Sequence, residues 1–167
     1  MLSLGAALAG GPAPRDACAL VSVEDVARIR AATFKEVRPT FKESQGLSVS
    51  TCFYSADPFA KSVSVEVVSS RDPAAVLARW KKMFHERRDL DGDDDSREPR
   101  KSPPEMPVPS LGEEAFWEPS PATGALHVLA NGVSVRVSVG GPEPQAEKLA
   151  TCRALAAKVL AALKPPS

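Results

Sequence analysis

The sequence predicts an α+β fold in which one antiparallel sheet of about five strands packs against three helices. Three observations predict it: helix caps at Ser22 and Asp72, an Asn131-Gly132 hairpin signal, and segments in which apolar residues, chiefly valine, alternate with polar ones. Hairpins in place of strand–helix–strand crossovers argue against a parallel, doubly wound sheet.

Ser22-Val23-Glu24-Asp25 reads as a capping box, with the Ser22 hydroxyl available to the backbone at the third helical position. Val26, Ile29, Arg30 and Thr33 follow at helical spacing, with Val26 and Ile29 as the inward pair. The helix is expected to end before Val37-Arg38-Pro39, because proline disfavours helix in the residue before it. Leu47, Val49, Thr51 and Phe53 then alternate with Ser48, Ser50, Cys52 and Tyr54, the period of a half-buried strand. Val63, Val65 and Val67 repeat that pattern, and Ala56-Asp57-Pro58 between the two segments predicts an antiparallel pair.

Asp72-Pro73 opens a second helix, with Asp as N-cap and Pro at the first helical position. Val76, Leu77, Trp80, Met83 and Phe84 form its apolar face, and the helix is expected to run to about Arg88. From Asp89 to Pro109 the chain mixes five aspartates with five prolines and almost no apolar residues, which predicts a disordered acidic, proline-rich loop. Glu114-Ala115-Phe116-Trp117 starts a third strand. Leu126–Ala130 and Val133–Val139 flank Asn131-Gly132, where a type I′ turn needs positive φ at both central residues. Leu149, Cys152, Ala156, Val159 and Leu163 mark the buried stripe of a third helix, stopped by Pro165-Pro166.

The 167 residues fit one domain, expected over 16–164, with 1–15 read as a signal-peptide remnant or disordered leader. Ala7-Leu8-Ala9 has the small-x-small pattern of a signal-peptidase site, although a charged n-region is missing and the apolar run is short. No stretch approaches the roughly 18 apolar residues that span a bilayer. No lipidation motif is present either, since Leu8-Ala9-Gly10 is not followed by Cys. Lys plus Arg equals Asp plus Glu at 21 each, so the charge excess that drives phosphate binding is absent and nucleic acid is an unexpected partner. Lys81, Lys82, Arg87 and Arg88 do cluster, but the acidic run cancels their field.

The three cysteines leave the pairing open. Packing the first helix on the sheet would bring Cys18 to Cys52, Cys18 with Cys152 is an alternative, and Cys152 lies on the apolar seam of the last helix, where a free buried thiol is ordinary. No CxxC or Cys/His spacing suggests zinc or thiol redox chemistry, and no cofactor is implied.

Asp16-Ala17-Cys18-Ala19-Leu20-Val21-Ser22-Val23-Glu24-Asp25-Val26 resembles the opening segment of small secreted proteins and lipoproteins of unknown function from actinobacteria and related high-GC bacteria. Thr51-Cys52-Phe53-Tyr54 is similar to their second-cysteine strand, and Leu111-Gly112-Glu113-Glu114-Ala115-Phe116-Trp117 to their G-(D/E)-E-A motif. The resemblance covers roughly residues 16–163 through short, degenerate motifs. It implies a Cys18–Cys52 disulfide, a sheet packed on helices in a PsbP-like domain, and no assigned enzyme activity. The lipidated cysteine of many members has no counterpart here.

Candidate chemistry is sparse. Asp89, Asp91 and Asp93 match the first three ligand positions of an EF-hand loop, but Asp94 stands where Gly is required and Arg100 where a bidentate Glu is required. His85 and His127 read as surface or boundary residues without a placed partner. Glu113 and Glu114, being adjacent on a strand, point to opposite faces, so one of them is expected to hold a turn through backbone hydrogen bonds. Trp80 and Trp117 read as core or core-edge residues. No serine sits in a nucleophile elbow, and no P-loop or dinucleotide fingerprint is present, so no catalytic residue is assigned.

The expectation is therefore a monomeric, exported, periplasmic or extracellular protein without catalytic activity. It would bind an envelope protein, a lipid or a small ligand in a groove between sheet and helices. The competing expectation is a divergent enzyme or a divalent-metal binder using the acidic loop. An apolar pocket free of converging titratable groups favours the first; a carboxylate within hydrogen-bond reach of His85 or His127 favours the second.

Overall fold

The structure, a computed structural model, describes residues 14–86 and 105–164. Both the Ala7-Leu8-Ala9 cleavage pattern and the acidic run Asp89–Asp95 with Arg100 lie outside the described residues.

Seven strands form one antiparallel sheet: β1 (Thr33–Ser44), β2 (Leu47–Asp57), β3 (Val63–Ser69), β4 (Met106–Pro107), β5 (Glu114–Pro119), β6 (Thr123–Ala130) and β7 (Val133–Gly140). Their spatial order is β1-β2-β3-β7-β6-β5-β4, two meanders joined where β7 returns beside β3. Four α-helices are described: α1 (Ala17–Leu20), α2 (Val23–Arg30), α3 (Pro73–Phe84) and α4 (Gln145–Leu163). The expected layout of about five strands against three helices is thus overturned, and strand residues outnumber helical ones.

The two unexpected strands are the sheet's edges. The expected first helix stops early, at Arg30, where Ala31 takes a left-handed conformation with φ 52°. The chain from Thr33 turns into β1 instead, pairing with β2 through a tight Gln45-Gly46 turn with positive φ at both residues. β4 falls inside the expected acidic, proline-rich loop, with Met106 opposite Trp117 and Val108 buried beyond it. Charge and proline obscure both segments because edge strands tolerate them where a central strand does not. The fourth helix, α1, is a single turn whose N-cap, Asp16, accepts from the Cys18 N–H at 2.9 Å.

Other local signals hold. The Ser22 hydroxyl accepts from the Asp25 N–H at 3.1 Å, and Asp72 accepts from the Ala74 N–H at 3.0 Å with Pro73 opening α3. Asn131 and Gly132 have φ of 51° and 74°, as a type I′ hairpin requires.

The sheet carries a separate apolar cluster on each face. On one, Val63, Val65, Val67, the four β7 valines and Trp117 pack under α1, α2 and α4. In β2 the buried parity is Ser50, Cys52, Tyr54 and Ala56, while Val49, Thr51 and Phe53 are only half-buried. Cys18 and Cys52 form a disulfide with Cα atoms 5.0 Å apart, tying α1 to β2, and Cys152 is the buried free thiol. In α2 the deeply buried residues are Val26 and Arg30, with Ile29 at the margin. The Arg30 guanidinium donates to the Lys61 and Gly140 carbonyls and meets Glu143 at 3.4 Å. Burial alone would raise the Glu143 carboxyl, but its own backbone N–H and Arg30, with Lys61 beyond, outweigh burial and hold it below the usual range.

On the opposite face, among the described residues, α3 covers the sheet. Val76, Trp80 and Phe84 pack against Phe116 and Leu129. The functional interest lies in this second face.

Candidate functional site

Strand parity creates the site. Because Val65, Val137 and Val135 must face the main core, their neighbours Glu66, Arg136 and Ser134 are turned to the α3 side. Register then aligns Glu66 on β3, Arg136 on β7, His127 on β6 and Phe116 on β5 in one row across four strands. Along the edge of α3 this row opens into a cleft of about 380 Å³, to which α3 adds Arg79, Trp80, Met83 and Phe84, while Glu105 and Glu118 reach it from the β4–β5 side.

His127, expected at the surface or boundary, is buried at 6% exposure. Its ring meets Phe84 edge-on at 5.1 Å, and Nε2 lies 2.8 Å from Glu118 Oε2. His85 is exposed, and its Nε2 lies 3.0 Å from Glu114 Oε2. The same Glu114 oxygen accepts from the Trp80 indole N–H at 2.5 Å, so the carboxylate fixes both the aromatic wall of the cleft and His85. The expected role of Glu113 or Glu114 in holding a turn is replaced, for Glu114, by this side-chain clamp. Trp80, Phe84 and Phe116 form an aromatic stack with Phe84 and Phe116 nearly parallel, 4.7 Å between centroids. Trp117 is a main-core residue on the other face, as its strand parity dictates.

Arg79 and Arg136, from α3 and β7, line the cleft half-buried, and among the described residues neither makes an ion pair or side-chain hydrogen bond. Glu66 stands directly across from Arg136 in the ladder, yet no ion pair joins them among the described residues. The cleft thus offers separate positive and negative groups beside an apolar wall, and a histidine–carboxylate pair able to accept or hold a proton.

Both histidines therefore have a carboxylate in reach, the condition set above for chemistry, but among the described residues neither ring is hydrogen-bonded to a hydroxyl or thiol that it could activate, so the pairs alone do not assemble a nucleophile. Sequence reasoning missed these pairs because each depends on register or helix docking. The legible signal was the parity that set His127 opposite to Leu126 and Val128. The disulfide cysteines lie on the far side of the sheet, in the main core. Among the described residues no group of three or more His, Cys, Asp or Glu side chains could hold a metal, and no helix is long and apolar enough to cross a membrane. Comparisons with protein-family models, with curated proteins and with solved structures returned no match.

Proposed function

We propose that this chain is an exported cell-envelope module that binds a small polar ligand, without turning it over, in the cleft between α3 and the outer sheet face. The observation that carries the reading is the convergence of Arg79, Arg136, Glu66 and the His127–Glu118 pair on one cleft walled by Trp80 and Phe84. Its volume, about 380 Å³, falls at the small end of ligand pockets. Its charged lining suits a polar ligand better than a lipid chain, whose burial rewards apolar walls. Export is supported by the Ala7-Leu8-Ala9 leader pattern, by the resemblance to secreted proteins, and by the Cys18–Cys52 bridge, a bond that persists in oxidising compartments.

The two tryptophans provide the test, since Trp80 walls the cleft and Trp117 sits in the core beneath the sheet. Pools of small polar metabolites added to 15N-labelled protein should shift the Trp80 indole resonance and leave that of Trp117 in place. A library that moves neither indole at millimolar concentration, or moves both equally, overturns the cleft as the site.

One observation favours a second reading, a divergent enzyme: the His127–Glu118 pair is the arrangement of a general base and its orienting carboxylate. Among the described residues no hydroxyl or thiol is hydrogen-bonded to either imidazole, so such an enzyme would activate water or the ligand itself. A ligand found by the screen that is consumed by the wild-type protein, but bound and left intact by His127→Gln, would replace the binding reading with this one.

A further inference from the structure

Resting on the cleft as the binding site, we infer that its ligand is a small zwitterion, a molecule with an ammonium and a carboxylate separated by a short spacer.

Two guanidinium groups from different elements, Arg79 on α3 and Arg136 on β7, line one cleft without an ion-pair partner among the described residues. Arginine forks match carboxylates in a two-point geometry, so a pair of them specifies an anionic group. The cleft is nevertheless not an anion site, because Glu66 lies directly across from Arg136 and Glu105 stands on the same lining. A simple anion would be held by the arginines and repelled by these carboxylates, and a simple cation would meet the reverse. Only a molecule carrying both charges satisfies both sets at once.

The charges are also kept apart within the protein. Glu66 and Arg136 face each other across the ladder but form no ion pair among the described residues. Pairing them would gain little at a half-exposed position, so little is lost when a ligand engages each separately. A water-sized group takes about 30 Å³, so the cleft of about 380 Å³ has room for roughly a dozen non-hydrogen atoms. That is the size of an amino acid or a dipeptide, and the Trp80–Phe84 wall offers its spacer or side chain an apolar surface.

Four probes titrated into labelled protein test the class: alanine, alanyl-alanine, N-acetyl-alanyl-alanine, which lacks the ammonium, and alanyl-alanine amide, which lacks the carboxylate. At least one zwitterion should shift the Trp80 indole, with each singly charged analogue of alanyl-alanine at least tenfold weaker than the dipeptide. Arg136→Gln should weaken the zwitterion at least tenfold and leave the amide unweakened, and Glu66→Gln should leave the acetylated probe unweakened. Both side chains are partly exposed, and an unaltered Trp117 resonance reports that each variant is folded. Equal binding of the acetylated probe makes the cleft an anion site, and equal binding of the amide makes it a cation site; either overturns the zwitterion. Should no zwitterion bind while other polar metabolites shift Trp80, the class falls and the cleft stands. Silence from every compound removes both.

Discussion

Tyr54, the chain's one tyrosine, shows how a single side chain ties helix to sheet. Its ring is buried in the main core, and its hydroxyl donates to the Val21 carbonyl at 2.8 Å, at the junction between α1 and α2. Burial, with a smaller contribution from Asp16, pushes its hydroxyl up to about 12. A folded-state value above the unfolded one means that stability is intact below about pH 10 and is lost as pH rises toward 12. Absorbance near 295 nm should therefore show no tyrosinate at pH 10.5 in folded protein and about three-quarters ionisation once urea unfolds it. Ionisation at pH 10 in the native state would contradict the buried hydrogen bond. Residues such as Ser22, Asp72 and Asn131-Gly132 could be assigned from sequence because a cap or turn involves only near neighbours. His127 and Glu118 are nine positions apart and meet across a hairpin, so their pairing is set by register.

Among the elements, β1 carries the clearest consequence. Ser44 and Leu47 close its two-residue turn as a hydrogen-bonded pair, and bonded and non-bonded pairs alternate along an antiparallel ladder. Counting back five residues places Pro39, opposite Cys52, in a non-bonded pair, so its missing N–H faces the open edge and costs the ladder nothing. Val37 and Phe41 on either side are exposed, and a second chain pairing here would cover them. Pro39 is thus the residue that blocks edge-to-edge pairing, helped by Lys35, Arg38 and Lys42. Pro39→Val should add concentration-dependent self-association, absent from the wild-type chain under the same conditions, in sedimentation velocity at about 100 µM, with the fold retained. Sedimentation identical to wild type would assign the protection to the charges alone. The same proline and charges made β1 unreadable as a strand. β3 and β7, whose alternate valines face a dry core, were legible throughout.

At the scale of the whole molecule, the Cys18–Cys52 bridge closes a 34-residue separation and clamps α1 onto the sheet. The chain-entropy model gives such a loop about 3–4 kcal/mol, so reduction should lower the thermal midpoint by roughly 10 °C. Thiol counting checks the pairing directly. Cys152 is fully buried and burial pushes its thiol up to about 12, against the lowering pull of Arg30 and Arg136, so the native protein should show no reactive thiol. Unfolding without reductant should release one thiol, and unfolding with reductant all three. Three thiols without reductant would remove the bridge.

The division of the sheet into two faces has a consequence for how this protein can change. In β7 the valines at 133, 135, 137 and 139 belong to the core, while Ser134 and Arg136 between them line the cleft. One strand therefore writes two texts in alternating letters, one specifying the core and the other the lining of the cleft. Substitutions in the second text leave the first untouched, so descendants of this chain are free to change the chemistry of the cleft without changing the core. An insertion or deletion within the strand scrambles both at once.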